Sequence, residues 1–166
     1  IPIEKFGGNT DSLDNFLAFE EAFDYFQTAG GGTLQLGKGS YEIASNSLGG
    51  AGLIVPSNVR IRGSGKHFSQ IKVTGATQCY LFLNETCETN QLFEDLTLVG
   101  NNTAESVGPG GAYYCSVLNG TATNDVENIV FRNVRFENFK GDYWVRFYAT
   151  SDTYSIKNSG FDWGCE

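Results

Sequence analysis

One short phrase recurs along the chain, and this repeat constrains the fold more than any other feature of the sequence. Each copy places Asn or Asp directly before a strand-like run in which apolar and polar residues alternate. The copies lie at residues 57–61, 94–98, 132–136 and, more loosely, 157–161. Their anchoring residues, which are 37, 38 and 25 residues apart, are Asn58, Asp95, Asn133 and Asn158. Such spacing is typical of solenoids, in which each repeat stacks on the next.

A stack of repeats explains why a polar residue returns at the edge of each strand. The Asn amide carries both a donor and an acceptor, so stacked Asn side chains can hydrogen-bond along the axis of the stack. Asn is also a favourable turn residue, which explains part of the pattern. Because the Asn or Asp recurs in register with the apolar pair that follows it, we predict that the four anchoring residues form one ladder.

The segment 11–28 is predicted to be an α-helix, with Asp11 or Ser12 as its N-cap and Gly30 to Gly32 as its stop. Its apolar arc covers about half of the circumference, more than one packing face usually requires. The simpler explanation is a helix buried against the end of a sheet. The alternative is that aromatic residues of the arc contact another subunit; the candidates for this assembly surface are Phe16, Phe19, Phe23 and Phe26.

Short β-type runs replace the helical pattern after Gly32. They are predicted at residues 33–36, 41–43, 53–55, 59–61, 70–73 and 81–83. Helical periodicity does not return, so parallel strands cannot be joined by helices as they are in βαβ units. The expected organisation is therefore one domain over residues 1–166, with β-coils over 33–166 and an inserted loop near 100–124.

The N-terminal half resembles the pectate-lyase-like superfamily, whose members include polysaccharide lyases, mannuronan epimerases and phage tailspikes. The matching segments are residues 6–11, 19–23, 29–36, 39–43 and 54–65, within a resemblance that covers about 3–75 well and continues weakly to 136. The resemblance implies an all-β, right-handed parallel β-helix of about four to five coils, capped at its N-terminal end by the α-helix. It does not imply one activity, because enzymes, adhesins and inert shafts share this fold.

The resemblance also indicates where catalytic residues would lie. Residues 139–147 align with a motif of the epimerases, and here Val145 and Phe147 take the positions of the essential Asp and His. We therefore predict no catalytic residue. A solvated loop is the simplest interpretation of this stretch, but its aromatic and charged side chains are also candidates for contact with a glycan. These candidates are Lys140, Asp142, Tyr143, Trp144 and Arg146.

Charge limits the partners that the chain can bind. The formal net charge is −8 and the sequence pI is about 4.6, which argues against nucleic acid because phosphate contacts need clustered Lys and Arg. Polyuronates would also be repelled unless a basic stripe or a cation intervened. With a single His, His67, and no CxxC pair, no metal site or other cofactor is predicted. No apolar run is long enough to span a membrane.

Cysteines and glycosylation signals favour an oxidising, extracellular or cell-surface location. Sequons begin at Asn84, Asn101 and Asn119, each in a polar or Gly-rich stretch that is typical of a surface loop. Cys79 and Cys87 could close a short disulfide loop, leaving Cys115 and Cys165 as the second pair, although four cysteines allow three connectivities. Four buried thiols in a cytosolic chain are the alternative. The chain has no Met and begins Ile-Pro-Ile, as expected for a processed product or a fragment.

These patterns lead to three functional hypotheses. The C-terminal residues 161–166 contain no capping helix, so we expect either further coils or a second copy to cover that end. The leading hypothesis is a secreted, non-enzymatic structural subunit that stacks end to end with copies of itself into a filament or surface appendage. The alternatives are a polysaccharide lyase, epimerase or hydrolase, and a glycan-binding, tailspike-like module.

Overall fold

The computed structural model is mostly β, with few helices. It describes residues 1–48, 52–75, 79–84, 88–101, 116–120, 126–139, 145 and 156–166. The helices are a 3-10 helix at Ile3–Phe6, α1 at Phe16–Ala29 and α2 at Ser45–Leu48. The strands are β1 Gly32–Gln35, β2 Gly39–Ala44, β3 Leu53–Ile54, β4 Val59–Arg62, β5 Ser69–Thr74, β6 Tyr80–Asn84, β7 Gln91–Val99, β8 Ser116–Gly120, β9 Val126–Glu127, β10 Ile129–Glu137, β11 Ile156–Lys157 and β12 Gly160–Phe161.

Every described pair of strands is parallel, and at least one other strand lies between the two partners along the chain. The longest path, called the main sheet below, runs β1-β4-β7-β10-β12. Strands β2 and β5 join it at β7, while β3-β6-β8 and β9-β11 form separate sheets. Paired residues are between 27 positions apart, as for Gly32 and Val59, and 38 apart, as for Gln91 and Ile129. The fold is thus β-helix-like, as predicted.

The predicted strands begin and end within one residue of the observed strands, except that β2 begins two residues before its predicted start. Two features differ from the prediction. A single helical turn, α2, follows β2 in a region where only strands were expected. Strand β8 lies inside the predicted inserted loop near 100–124 and pairs with β6, so this loop is not continuous.

The interior is one apolar cluster that extends through the sheets. Alternate residues of β2 and β5 point inward, as their buried positions show. Aromatic rings of successive strands stack inside it: the centroids of Phe93 and Phe131 are 4.7 Å apart, and those of Phe131 and Phe161 are 5.7 Å apart. These offset contacts stabilise the stack beyond the burial of their area.

Helix α1 begins five residues later than predicted, and its N-cap residue is Asn15 rather than Asp11 or Ser12. The Asp14 carboxylate accepts hydrogen bonds from the N–H of Phe16 at 3.0 Å and from the N–H of Ala44 at 3.1 Å. It also accepts one from the Ser47 hydroxyl at 2.5 Å. The first turn is therefore tied to β2 and α2, and Gly30 ends the helix in the left-handed conformation.

The apolar arc of α1 is used inside this chain. Phe19, Phe23 and Phe26 are buried, and Phe16 is partly buried against the same core. The proposed assembly surface is therefore wrong for the three buried rings, because they pack against the chain's own first strands. The simpler explanation, a helix buried against the end of the sheets, is the correct one. Its large exposed apolar residues are Leu17 and Tyr25.

Asparagine ladders are present, but of the predicted steps the structure confirms the one between Asp95 and Asn133, and Asn58 pairs with Asn90 instead of Asp95. The Asn90 amide donates to Asn58 Oδ1 at 3.0 Å, and the Asn128 amide donates to Asn90 Oδ1 at 2.8 Å. A second, separate contact joins Asn133 to Asp95 at 2.7 Å. All five residues, together with Asn158, adopt left-handed backbone conformations. Each of the long strands β7 and β10 therefore has one left-handed Asn directly before it and a second left-handed residue within it. The predicted ladder aligned residues of the first kind with residues of the second.

Among the described residues, no helix has the length and apolar character required to cross a membrane.

Candidate functional site

Outward-facing side chains of the main sheet form a row in which charges alternate, called the outer row below. It consists of Gln35, Arg62, Glu94, Arg132 and Asp162. Arg62 pairs in register with Glu94, and Glu94 pairs with Arg132. Asp162 follows β12 and donates its backbone N–H to Phe131 O, which places its side chain beside Arg132.

Ion pairs divide the outer row into two units. In the first, Glu94 is only 4% exposed and contacts both Arg60 and Arg62, with 3.3 Å between Arg62 Nε and Glu94 Oε1. In the second, Arg132 Nε donates to Asp162 Oδ2 at 2.8 Å. Arg132 and Asp162 are both about 40% exposed. The second unit is therefore the one that a ligand can reach on both partners.

An open depression of about 400 Å³ surrounds the Arg132 and Asp162 pair. Its lining comes from β10 and from the segment around β12; the residues are Val130, Arg132, Asn158, Ser159, Gly160, Phe161 and Asp162. Phe161 is 57% exposed, and the neighbouring Trp163 is 64% exposed. Trp163 is not one of the lining residues, so the Phe161 ring is the aromatic surface that borders the charged pair.

The Asp162 carboxylate is held in its ionised form. The hydrogen bond from Arg132 lowers the pKa of Asp162 below its usual value, and a hydrogen bond from the Trp163 backbone lowers it further. A carboxyl group with a lowered pKa accepts hydrogen bonds well but is a poor proton donor near neutral pH. The arrangement therefore suits recognition of polar groups better than proton transfer.

A second charged cluster lies where residues 63–69 meet the C-terminal segment. Glu166 Oε1 is 3.1 Å from Lys66 Nζ, 3.9 Å from Arg135 Nε and 4.0 Å from His67 Nε2. The hydrogen bond from Lys66 lowers the pKa of Glu166. His67 is exposed in a turn, as the sequence predicted. Since Glu166 already lies among these cations, the cluster is explained as an anchor for the C-terminal segment.

The predicted glycan contacts Lys140, Asp142, Tyr143, Trp144 and Arg146 lie outside the described residues, so they stay a prediction. Val145 is described, and it is partly buried against the core. The alignment of Val145 with the essential Asp of the epimerases stays a prediction from the resemblance. Within the described ranges, no cluster of three or more potential metal ligands occurs.

The structure describes only some of the residues in the cysteine and glycosylation predictions. Cys79 is buried and Cys165 is present as a thiol, while Cys87 and Cys115 lie outside the described residues. Asn119 lies within β8 and Asn84 is the last residue of β6, so the prediction that each sequon sits in a loop is wrong for Asn119. Asn101 follows β7 in an irregular segment.

Sequence analysis missed the outer row, although a signal for it exists. Arg62, Glu94, Arg132 and Asp162 each lie four residues after a left-handed Asn of the main sheet, namely Asn58, Asn90, Asn128 and Asn158. Aligning Asn58 with Asp95 and Asn133 instead hid this regularity. With the correct register, charged residues at the same position in successive repeats would have been visible in the sequence.

Comparisons with known proteins identify relatives of the fold. No family model matches the sequence, and no curated protein matches it. Among solved structures, the A-module of the mannuronan C-5 epimerase AlgE6 from Azotobacter vinelandii aligns with a TM-score of 0.58 and 24% identity. A protein from Parabacteroides merdae, provisionally assigned as a glycosyl hydrolase, aligns with a TM-score of 0.60 and 15% identity. The ORF18 protein of Geobacillus virus E2 aligns with a TM-score of 0.56 and 17% identity.

Coverage differs among these structures. The alignment includes 82% of this chain but 39% of the AlgE6 module, and 99% of this chain but 41% of the viral protein. For the Parabacteroides protein it includes 97% of both chains. The chain thus spans less than half of two of these proteins. At such identities, the likeness concerns the fold.

Proposed function

Because the chain has the fold of the pectate-lyase-like superfamily, we propose that its parallel strands form coils of a right-handed solenoid whose outer face binds an extended glycan. The observation that carries this proposal is the depression around Arg132 and Asp162, bordered by the exposed ring of Phe161. Its charged pair supplies hydrogen-bond donors and acceptors for hydroxyl groups. Phe161 and Trp163 supply flat apolar faces on which sugar rings can lie.

Binding is favoured over chemistry on the glycan. The exposed carboxylate of the outer row, Asp162, is paired with Arg132, whose hydrogen bond lowers the pKa of Asp162 and makes it a poor acid. Val145 packs against the core at the position that aligns with an essential residue of the epimerases. A glycan-binding role also agrees with the secretion that the cysteines and sequons predict.

End-to-end assembly into a filament is not part of the proposal. That hypothesis rested on a surplus of aromatic surface on α1 and on the lack of a capping helix in residues 161–166, and the first of these does not hold because Phe19, Phe23 and Phe26 are buried within the chain. Self-association remains a prediction from sequence, which sedimentation velocity over a range of concentrations can check.

The test is a glycan array probed with the 1–166 chain, followed by titration calorimetry on each glycan that binds. Trp163→Ala should weaken binding about tenfold, as expected for an exposed aromatic anchor. Tyr25→Ala is the matched control, because Tyr25 is a similarly exposed aromatic residue on α1. The proposal is rejected if no glycan binds, or if the two variants lower the affinity equally.

A further inference from the structure

The outer row repeats its charge pattern every second strand. Neighbouring strands are about 4.8 Å apart, so Arg62 and Arg132 are about 9.6 Å apart along the stack, as are Glu94 and Asp162. The register of β4, β7 and β10 fixes this spacing, since the backbones are paired residue by residue. One period of the row is close to the length of two sugar units in an extended polysaccharide.

The unit formed by Arg132 and Asp162 is balanced in charge and still able to bind. A guanidinium has five N–H donors and a carboxylate has about four acceptor sites, so one ion pair leaves most of them unused. Arg132 and Asp162 are joined by one hydrogen bond and are both about 40% exposed. Neighbouring hydroxyl groups, which both donate and accept, are the complementary ligand for such a pair.

Polyuronates fit the same row poorly. A polyuronate carries a carboxylate on every sugar, and a ligand laid along the row would bring carboxylates towards Asp162 and Glu94 as well as towards the arginines. Arg62 and Arg132 are already paired with carboxylates of the chain, so they offset less of the repulsion between the ligand and those carboxylates. The whole chain carries a formal charge of −8, which adds long-range repulsion.

We propose that the outer row selects glycans with an uncharged backbone over polyuronates, with two successive sugars spanning two strands of the main sheet. This inference rests on the proposed glycan-binding function and specifies its ligand.

Titration calorimetry with two sets of oligosaccharides tests the selectivity. The neutral set is xylo-, cello- and manno-oligosaccharides, and the acidic set is oligogalacturonates and oligomannuronates, all with EDTA present so that no divalent cation bridges carboxylates. We expect at least one neutral oligosaccharide to bind more tightly than every acidic one, with an affinity that salt changes little. Tighter binding of the acidic set overturns the inference but leaves the glycan-binding function intact. Absence of binding by both sets rejects both.

Asp162→Asn tests whether the ion pair is the selective element. The variant keeps an acceptor for the Trp163 N–H and releases Arg132 from its carboxylate. The ratio of acidic to neutral affinity should rise about tenfold, the value of one charge-assisted hydrogen bond. Glu137→Gln is the matched control, because it changes the net charge equally and releases Arg135, which lies off the row. Equal effects of the two variants, or no effect of either, would contradict the role of the row.

Discussion

The hydroxyl group of Tyr41 is held between two polar partners beneath the 3-10 helix. It donates to Glu4 Oε1 at 2.8 Å and accepts from the Gly37 N–H at 3.0 Å. Burial of the ring and the hydrogen bond to Glu4 raise the pKa of Tyr41 to about 12. The contact connects the N-terminal segment to β2, so one side chain links two distant parts of the chain.

Stability at high pH should depend on Tyr41. Since its folded-state pKa lies above the ordinary value of 10.0, its contribution is complete below pH 10 and is lost as the pH rises towards 12. We expect the free energy of unfolding of the unmodified chain to approach that of Tyr41→Phe across this interval, as measured by urea denaturation. Tyr25→Phe, at an exposed ring, is the control. A constant difference between the unmodified chain and Tyr41→Phe would contradict the assignment.

Two substitutions of Asn128 separate the contribution of its left-handed backbone from that of its side-chain hydrogen bond in the ladder. It has φ of 54° and donates to Asn90 at 2.8 Å. Asn128→Gly keeps the backbone conformation and should cost about 1 kcal/mol for the lost hydrogen bond. Asn128→Ala should cost a further 1 to 2 kcal/mol, roughly the penalty for a side chain in the left-handed region. Urea denaturation measures both, and an Ala variant as stable as the Gly variant would refute the interpretation.

Helix α1 has two faces that should respond differently to truncation. Phe19 is fully buried, while Leu17 is 70% exposed. Phe19→Ala should lower the free energy of unfolding by about 3 to 5 kcal/mol because it leaves a cavity, whereas Leu17→Ala should change it by less than about 0.5 kcal/mol. Thermal or urea unfolding checks the pair. A similar cost for both would mean that α1 does not pack as described.

The sequence patterns predicted the positions of the short strands better than the register in which the strands of successive repeats pair. Alternation of apolar residues was sufficient for the short strands, because the inward side chains of β2 and β5 follow it without interruption. The start of α1 was missed because Asp14 binds Ala44 and Ser47, and long-range partners leave no local signal. A left-handed Asn directly precedes each of the long strands β7 and β10, and a second left-handed residue, Asp95 or Asn133, lies within the strand, so the same residue type occurs at both positions.

The candidate site was not predicted because its residues, like Asp14, find their partners far away in the sequence. Its residues are separated by about 30 positions and meet only when successive strands stack, so a charge at one repeat has meaning only relative to the next. Gly63 occupies the position that Asp95 takes in the following strand, and a Cβ there would come within 2.2 Å of Asp95 O. This Gly interrupts the Asn and Asp pattern, which made the alignment of repeats ambiguous.

The sheets as a whole should show graded protection from hydrogen exchange. Strand β7 pairs with β4 and β5 on one side and with β10 on the other, whereas β12 pairs with β10 through two residue pairs. In a stack of repeats, local opening depends mainly on nearest neighbours. We expect the slowest amide exchange in β7 and the fastest in β12, as measured by mass spectrometry of peptic peptides. Equal protection of the two strands would contradict this gradient.

The stacked rings of Phe93, Phe131 and Phe161 end in a ring that is 57% exposed. That last ring borders the depression at Arg132 and Asp162, so a bound glycan would rest on the least protected strand of the main sheet. A ligand that binds only the folded state raises stability in proportion to the logarithm of its concentration over Kd. The melting temperature of this chain should therefore act as a sensor of occupancy, and a thermal-shift screen of polysaccharides offers a direct search for its natural ligand.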